Sequence, residues 1–151
     1  GVSRYEAAQF IERYLGRYPK VKRFMDGCVT QGSTEGYVST LMGRRRYLPE
    51  LSDRSYNIRQ FGERAAMNSP IQGTAADIIK LAMIAVARAL KEQKLQARLI
   101  LQVHDELIIE APECEVEQVK ELLRSCMEGI VELAVPLRTD ISVGGDWRAC
   151  K

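Results

Sequence analysis

From Ala75 to Leu90 the sequence offers hardly any polar face. Ala75, Ala76, Ile78, Ile79, Leu81, Ala82, Met83, Ile84, Val86, Ala87 and Leu90 fall on nearly every side of a helical wheel. A helix of that kind is expected to be buried at the centre of its domain, so the remaining elements must be able to cover it. Its expected start is Ser69-Pro70, an N-cap residue followed by proline at the first helical position, and its expected end is near Gln93. A separate helix is expected from Asn57 to Met67, with Ile58, Phe61, Ala65 and Ala66 on its apolar face.

Upstream, Ser3 with Glu6 three residues on forms a capping-box pattern. Ala7, Phe10, Ile11 and Tyr14 then recur at helical spacing. So early a cap is expected of a segment cut from a longer chain. A second helix is expected to start near Pro19 and to end before Gly32. Gly36 to Pro49 reads as a β-hairpin with its turn near Met42-Gly43, carrying Arg44, Arg45 and Arg46. Consecutive strand residues face opposite ways, so at least one arginine should meet solvent or a partner. A solvated edge and a phosphate contact both fit. Downstream, Pro112 to Leu133 has a helical apolar face, Val135 to Val143 alternates like a final strand, and Trp147 is expected to pack at the edge of the core.

A chain of 151 residues, 46% hydrophobic and 28% charged, suits one ordinary globular domain. A net charge of +2 favours no particular class of partner. Four cysteines without Cys-x-x-Cys spacing, and a single histidine, argue against a zinc site. No signal peptide and no membrane-length apolar run is present. A cytoplasmic protein with reduced thiols is expected.

The stretch Arg98 to Glu110 places His104, Asp105 and Glu106 between two short apolar runs, Leu99–Val103 and Leu107–Ile109. The composition suits strands buried on both faces. A hairpin with His104 and Asp105 at its tip follows. An ordinary polar turn is one reading of the triplet. A rigid support for two carboxylates is the other, and a stand-alone metal-dependent hydrolase built on the triplet is a further variant. Arg64, Asn68 and Gln72 recur at four-residue steps, so they share one stripe if the two central helices run end to end. All three can donate hydrogen bonds. They either cap and satisfy a broken backbone there or face a ligand rich in acceptors.

The run Arg59 through Lys80, above all Glu63-Arg64-Ala65-Ala66-Met67-Asn68-Ser69-Pro70-Ile71-Gln72-Gly73 and on to Lys80, closely resembles family A DNA polymerases of the bacterial DNA polymerase I type. So does Gln102-Val103-His104-Asp105-Glu106, which is similar to the family's motif C. Gly36 to Pro49 and Val135 to Trp147 match as well. Any one motif is weak; four in order, over essentially the whole chain, are strong.

The resemblance implies an α+β fold: an antiparallel palm sheet with a central β-hairpin, packed against long helices, as part of a polymerase domain. It implies that about 1–60 is the remainder of the fingers with a small hairpin, and about 61–151 the palm. It implies template-directed DNA synthesis with two Mg²⁺ ions, Asp105 as metal ligand and catalytic residue, and Glu106 as a secondary catalytic residue. Arg64, Asn68, Gln72 and His104 are implied contacts to primer–template DNA. The implied partners are that DNA, a dNTP and the remainder of the polymerase. The family's upstream palm aspartate and its nucleotide-gripping fingers helix have no counterpart in these 151 residues. An inactive duplex-binding fragment is therefore the alternative expectation.

Overall fold

The computed structural model describes residues 2–150. The chain divides into two compact units, Gly1–Thr74 and Ala75–Lys151.

The first unit opens with helix α1, Arg4–Arg17, and the expected capping box is formed: the Glu6 N–H donates to Ser3 Oγ, and Glu6 Oε2 accepts from the Ser3 backbone N–H at 2.9 Å. The Ser3 N–H first, and then the Ser3 hydroxyl, which donates to the same Oε2 at 2.8 Å, hold the exposed Glu6 carboxyl below its ordinary range. Helix α2, Pro19–Glu35, runs past Gly32 and stops at Gly36, whose φ of 77° supplies the left-handed cap. Gly32 is therefore not a stop signal. A Cβ on it would lie 2.7 Å from Leu51 Cδ1 and 2.9 Å from Leu48 Cδ1, so its role is close packing. Strands β1, Tyr37–Ser39, and β2, Arg45–Tyr47, pair antiparallel as expected, with Gly43 at φ 82° in the turn. A 3-10 turn over Pro49–Ser52 follows. The core is Cys28, Val38, Leu48 and Ala66, with Val29, Leu51 and Ala65 against it. Burial pushes the Cys28 thiol up, which keeps it protonated and inert near neutrality.

Helix α3 spans Tyr56–Glu92 without interruption, with Pro70 inside it. Two helices with a break at Asn68–Gly73 were expected. Ser-Pro is a start signal because proline lacks the N–H that a first turn does not need. Inside a helix the same absence costs about 3 kcal/mol. The helix continues because both sides of the proline are anchored. Ala66 is fully buried, and Gly62 sits so close to the 3-10 turn that a Cβ on it would be 3.0 Å from Leu51 N. One turn beyond, Thr74 Oγ1 donates to the Pro70 carbonyl at 2.6 Å and accepts from Leu41 N–H at 2.9 Å.

In the second unit, α3 ends in a Schellman arrangement. Leu95 N–H donates to Leu90 O, Lys94 N–H donates to Lys91 O, and Lys94 takes φ 55°. Strands β3, Arg98–Val103, and β4, Glu106–Glu110, form a second two-stranded antiparallel sheet. Leu99 pairs with Ile109 and Leu101 with Ile108, so Ile100 is an extra residue, a bulge. The strands are not buried on both faces as expected. Leu99, Leu107 and Ile109 reach the core, whereas Ile100 is 56% exposed. Helix α4, Val116–Glu128, is shorter than the expected 112–133, because a 3-10 turn over Glu113–Glu115 precedes it and Gly129 caps it. The core is Val86, Leu90, Ala97, Val119 and Leu122. The face of α3 that carries Leu81 and Ile84 is exposed in this unit, so the helix is buried on one side rather than all round.

The Glu115 carboxylate accepts from Gln96 N–H at 3.0 Å and Ala97 N–H at 2.9 Å, fixing the entry to β3. The expected strand over 135–143 is absent among the described residues. Thr139 N–H donates to Glu128 Oε1 at 2.9 Å, a side-chain partner where a strand would need a neighbouring backbone. Trp147, expected at the core edge, opens a 3-10 turn over Trp147–Cys150 and is 41% exposed. Among the described residues no helix is long and apolar enough to cross a membrane.

Candidate nucleic-acid interface and carboxylate tip

Two groups of polar side chains stand out, one in each compact unit. In the first unit, the continuity of α3 puts Arg64, Asn68 and Gln72 on one stripe. Each step of four residues rises about 6 Å and turns about 40° beyond a full turn. All three are exposed. The end-to-end condition on which the sequence reading depended is met by a single helix.

Beside the stripe lies a cleft of about 340 Å³, lined by Val38, Ser39, Thr40, Arg44, Arg45, Arg46, Ser69, Gln72 and Gly73. It exists because β1–β2 docks on α3 through Thr40, Leu41 and Thr74. A Cβ on Gly73 would fall 2.5 Å from Thr40 Cγ2, so only glycine allows this approach. Sequence reading missed Thr40 and Ser69 as cleft neighbours of Gln72, and Thr74 as the anchor of Leu41. The available signal was Gly73 itself, a glycine inside a helical pattern, which usually has a packing reason. All three arginines are exposed. Arg45 lies over the Tyr37 ring, 4.4 Å from its centroid, and Arg46 pairs with Glu50 at 3.2 Å. These contacts brace both side chains, and Glu50 offsets the Arg46 charge.

In the second unit, the last pair of the β3–β4 ladder is Val103 with Glu106, leaving His104 and Asp105 as a two-residue turn. His104 takes φ 53°. For a residue with a Cβ this left-handed conformation costs about 1–2 kcal/mol, and such residues concentrate where function requires the geometry. Gln102 Nε2 donates to the His104 carbonyl and closes the tip from the side. His104, Asp105 and Glu106 are all exposed. Neither carboxylate is held by a hydrogen bond or ion pair among the described residues.

Mg²⁺ takes oxygen ligands, with one or two carboxylates from protein and the rest from water or substrate. The tip offers oxygens of that kind on a rigid support. Among the described residues no three His, Cys, Asp or Glu side chains gather into a metal-holding cluster. The tip therefore fits as part of a ligand set. Asp77 is buried on α3 and engaged by a neighbour, and Asp140 is exposed far along the chain from the tip.

The sequence pattern of DNA polymerase family A matches residues 1–149, and the chain belongs to that family. It is 55% identical over 150 residues to DNA polymerase I of Bacillus caldotenax, 54% identical over 151 residues to that of Bacillus subtilis, and 49% identical over 146 residues to the thermostable DNA polymerase I of Thermus thermophilus. These alignments cover 97–100% of the chain but 17% of each relative. The chain also superposes with a TM-score of 0.94 and 44% identity on the POL domain of Pol1 from M. smegmatis, solved in complex with DNA primer-template and dNTP. That match covers 99% of this chain and 26% of the other.

Proposed function

We propose that this chain is the C-terminal part of a polymerase domain and serves template-directed DNA synthesis, the transfer of a nucleotide from a dNTP to a primer 3′-hydroxyl. The observation that carries the reading is the exposed Asp105–Glu106 tip on a two-residue turn, in a chain that belongs to DNA polymerase family A. Two Mg²⁺ ions, when bound, lower the pKa of the attacking hydroxyl and offset the charge of the departing pyrophosphate. Asp105 is the carboxylate that holds metal here. Glu106 stands beside it with a secondary role. The remaining ligands come from polypeptide beyond these residues.

Arg64, Asn68, Gln72 and His104 serve the primer–template duplex. A polymerase must handle every sequence alike. The minor groove presents acceptors, A N3 and T O2, whichever way an A·T pair faces. A row of donors therefore senses pair geometry without reading sequence. Residues 1–60 or so form the remainder of the fingers and 61–151 the palm, and the rest of the polymerase is the obligatory partner. The working location is the bacterial cytoplasm.

The test is primer extension on a primed template with Mg²⁺ and all four dNTPs. Asp105→Ala in the whole polymerase is expected to lower incorporation by at least about 10³-fold, in line with loss of a group acting on the transition state. Its DNA Kd is expected to stay within about threefold. Near-normal extension by that variant removes Asp105 from the site. Mixing this chain with a polypeptide carrying the upstream palm and fingers should restore extension that the chain alone lacks. Duplex binding without extension in the mixture favours the non-catalytic fragment.

A further inference from the structure

We propose that Gln102 is a positioning residue for the Asp105 carboxylate. The inference rests on the reading of Asp105 as a metal ligand and adds the residue that aims it.

The geometry is local. In a two-residue turn the ladder ends at the flanking pair, here Val103 with Glu106, so the His104 carbonyl has no strand partner. Gln102 lies two residues upstream, opposite Leu107 on β4. Its side chain folds over the tip, and Nε2 donates to that carbonyl. The carbonyl belongs to the peptide plane joining His104 to Asp105. Holding it fixes ψ of His104, and with it the direction in which the Asp105 Cα–Cβ bond leaves the backbone. His104 already sits at φ 53°, outside the region favoured by residues with a Cβ. Without the glutamine amide, the turn is free to relax toward commoner conformations, each of which points Asp105 elsewhere. Gln102 is itself exposed, so core packing does not explain it. Residues that orient metal ligands from behind typically change metal affinity or activity about 10–100-fold when removed.

The experiment uses the whole polymerase with Gln102→Met, which keeps the length and removes the donor, and Gln102→Lys, which restores a donor. Three quantities are measured: the Mg²⁺ concentration for half-maximal extension, the DNA Kd, and amide hydrogen exchange over residues 100–107. Gln102→Met is expected to raise the half-maximal Mg²⁺ about 10-fold or more, speed exchange at the tip and leave the DNA Kd unchanged. Gln102→Lys is expected to reverse most of both effects. Unaltered tip exchange in Gln102→Met overturns the proposal. So does a raised DNA Kd with an unmoved Mg²⁺ dependence, which would make Gln102 a DNA contact. Asp105→Asn is run in parallel. Should it extend primers normally, the metal reading falls, and tip exchange alone then decides whether Gln102 holds the turn.

Discussion

Gln72 lines the arginine-rich cleft at the end of the α3 stripe, and it is one of the residues proposed above to serve the duplex. Truncating a single donor of this sort is worth about 1–1.5 kcal/mol. Gln72→Ala in the whole polymerase is expected to slow extension from a matched primer end about 5- to 10-fold, and to change the ratio of mismatched to matched extension. Steady-state extension from both ends measures this, and identical ratios in variant and parent remove Gln72 from the site. Lys94 presents the opposite case, a residue with no proposed role held in a left-handed conformation. Glycine adopts φ 55° without a Cβ penalty. Lys94→Gly is expected to stabilise the fold by about 0.5–1 kcal/mol, read as a shift in the denaturation midpoint. The hairpin tip at His104 and Asp105 was legible in the sequence, because a polar run between apolar runs is a local pattern. The left-handed His104 and the Gln102 amide folded over it were not, since both depend on the loop closing at two residues.

Elements were read best where local chemistry decides them. The Ser3–Glu6 box, the Gly43 turn and the β3–β4 hairpin follow from short-range capping and turn preferences. They were read worst where a distant partner decides. Gly32 looked like a terminator and is a contact surface; Ser69-Pro70 looked like a helix start and lies inside α3. The alternating stretch over 135–143 has the pattern of a strand but no neighbouring strand among the described residues. The glycine at position 62 makes this testable. A Cβ there meets backbone, with Leu51 N at 3.0 Å and Glu50 C at 3.1 Å, and backbone yields less readily than a side-chain tip. Gly62→Ala raises helix propensity yet is expected to destabilise by about 1–3 kcal/mol. Urea denaturation followed by circular dichroism decides between propensity and packing.

At the scale of the molecule, the family was legible and the context was not. Four ordered motifs carried the assignment, but both sheets have only two strands, so each has open edges among the described residues. Phe10 is 65% exposed in one unit and Ile84 57% in the other. Unpaired edges and exposed apolar side chains promote association. Produced alone at micromolar concentration, the chain is expected to run above its monomer mass of 17.1 kDa in light scattering. A stable monomer would show that these surfaces need no cover.

The bulge at Ile100 gives the hairpin an asymmetric tolerance to insertions and deletions. Its β3 arm is one residue longer than its β4 arm between the Leu99–Ile109 pair and the tip. Loss of one codon on the β3 side would therefore straighten the ladder and still deliver Val103 opposite Glu106. Loss of one codon on the β4 side would double the mismatch and turn the tip to the other face. Length variation among natural relatives and surviving deletion mutants should accordingly fall before His104 and avoid the residues after Asp105.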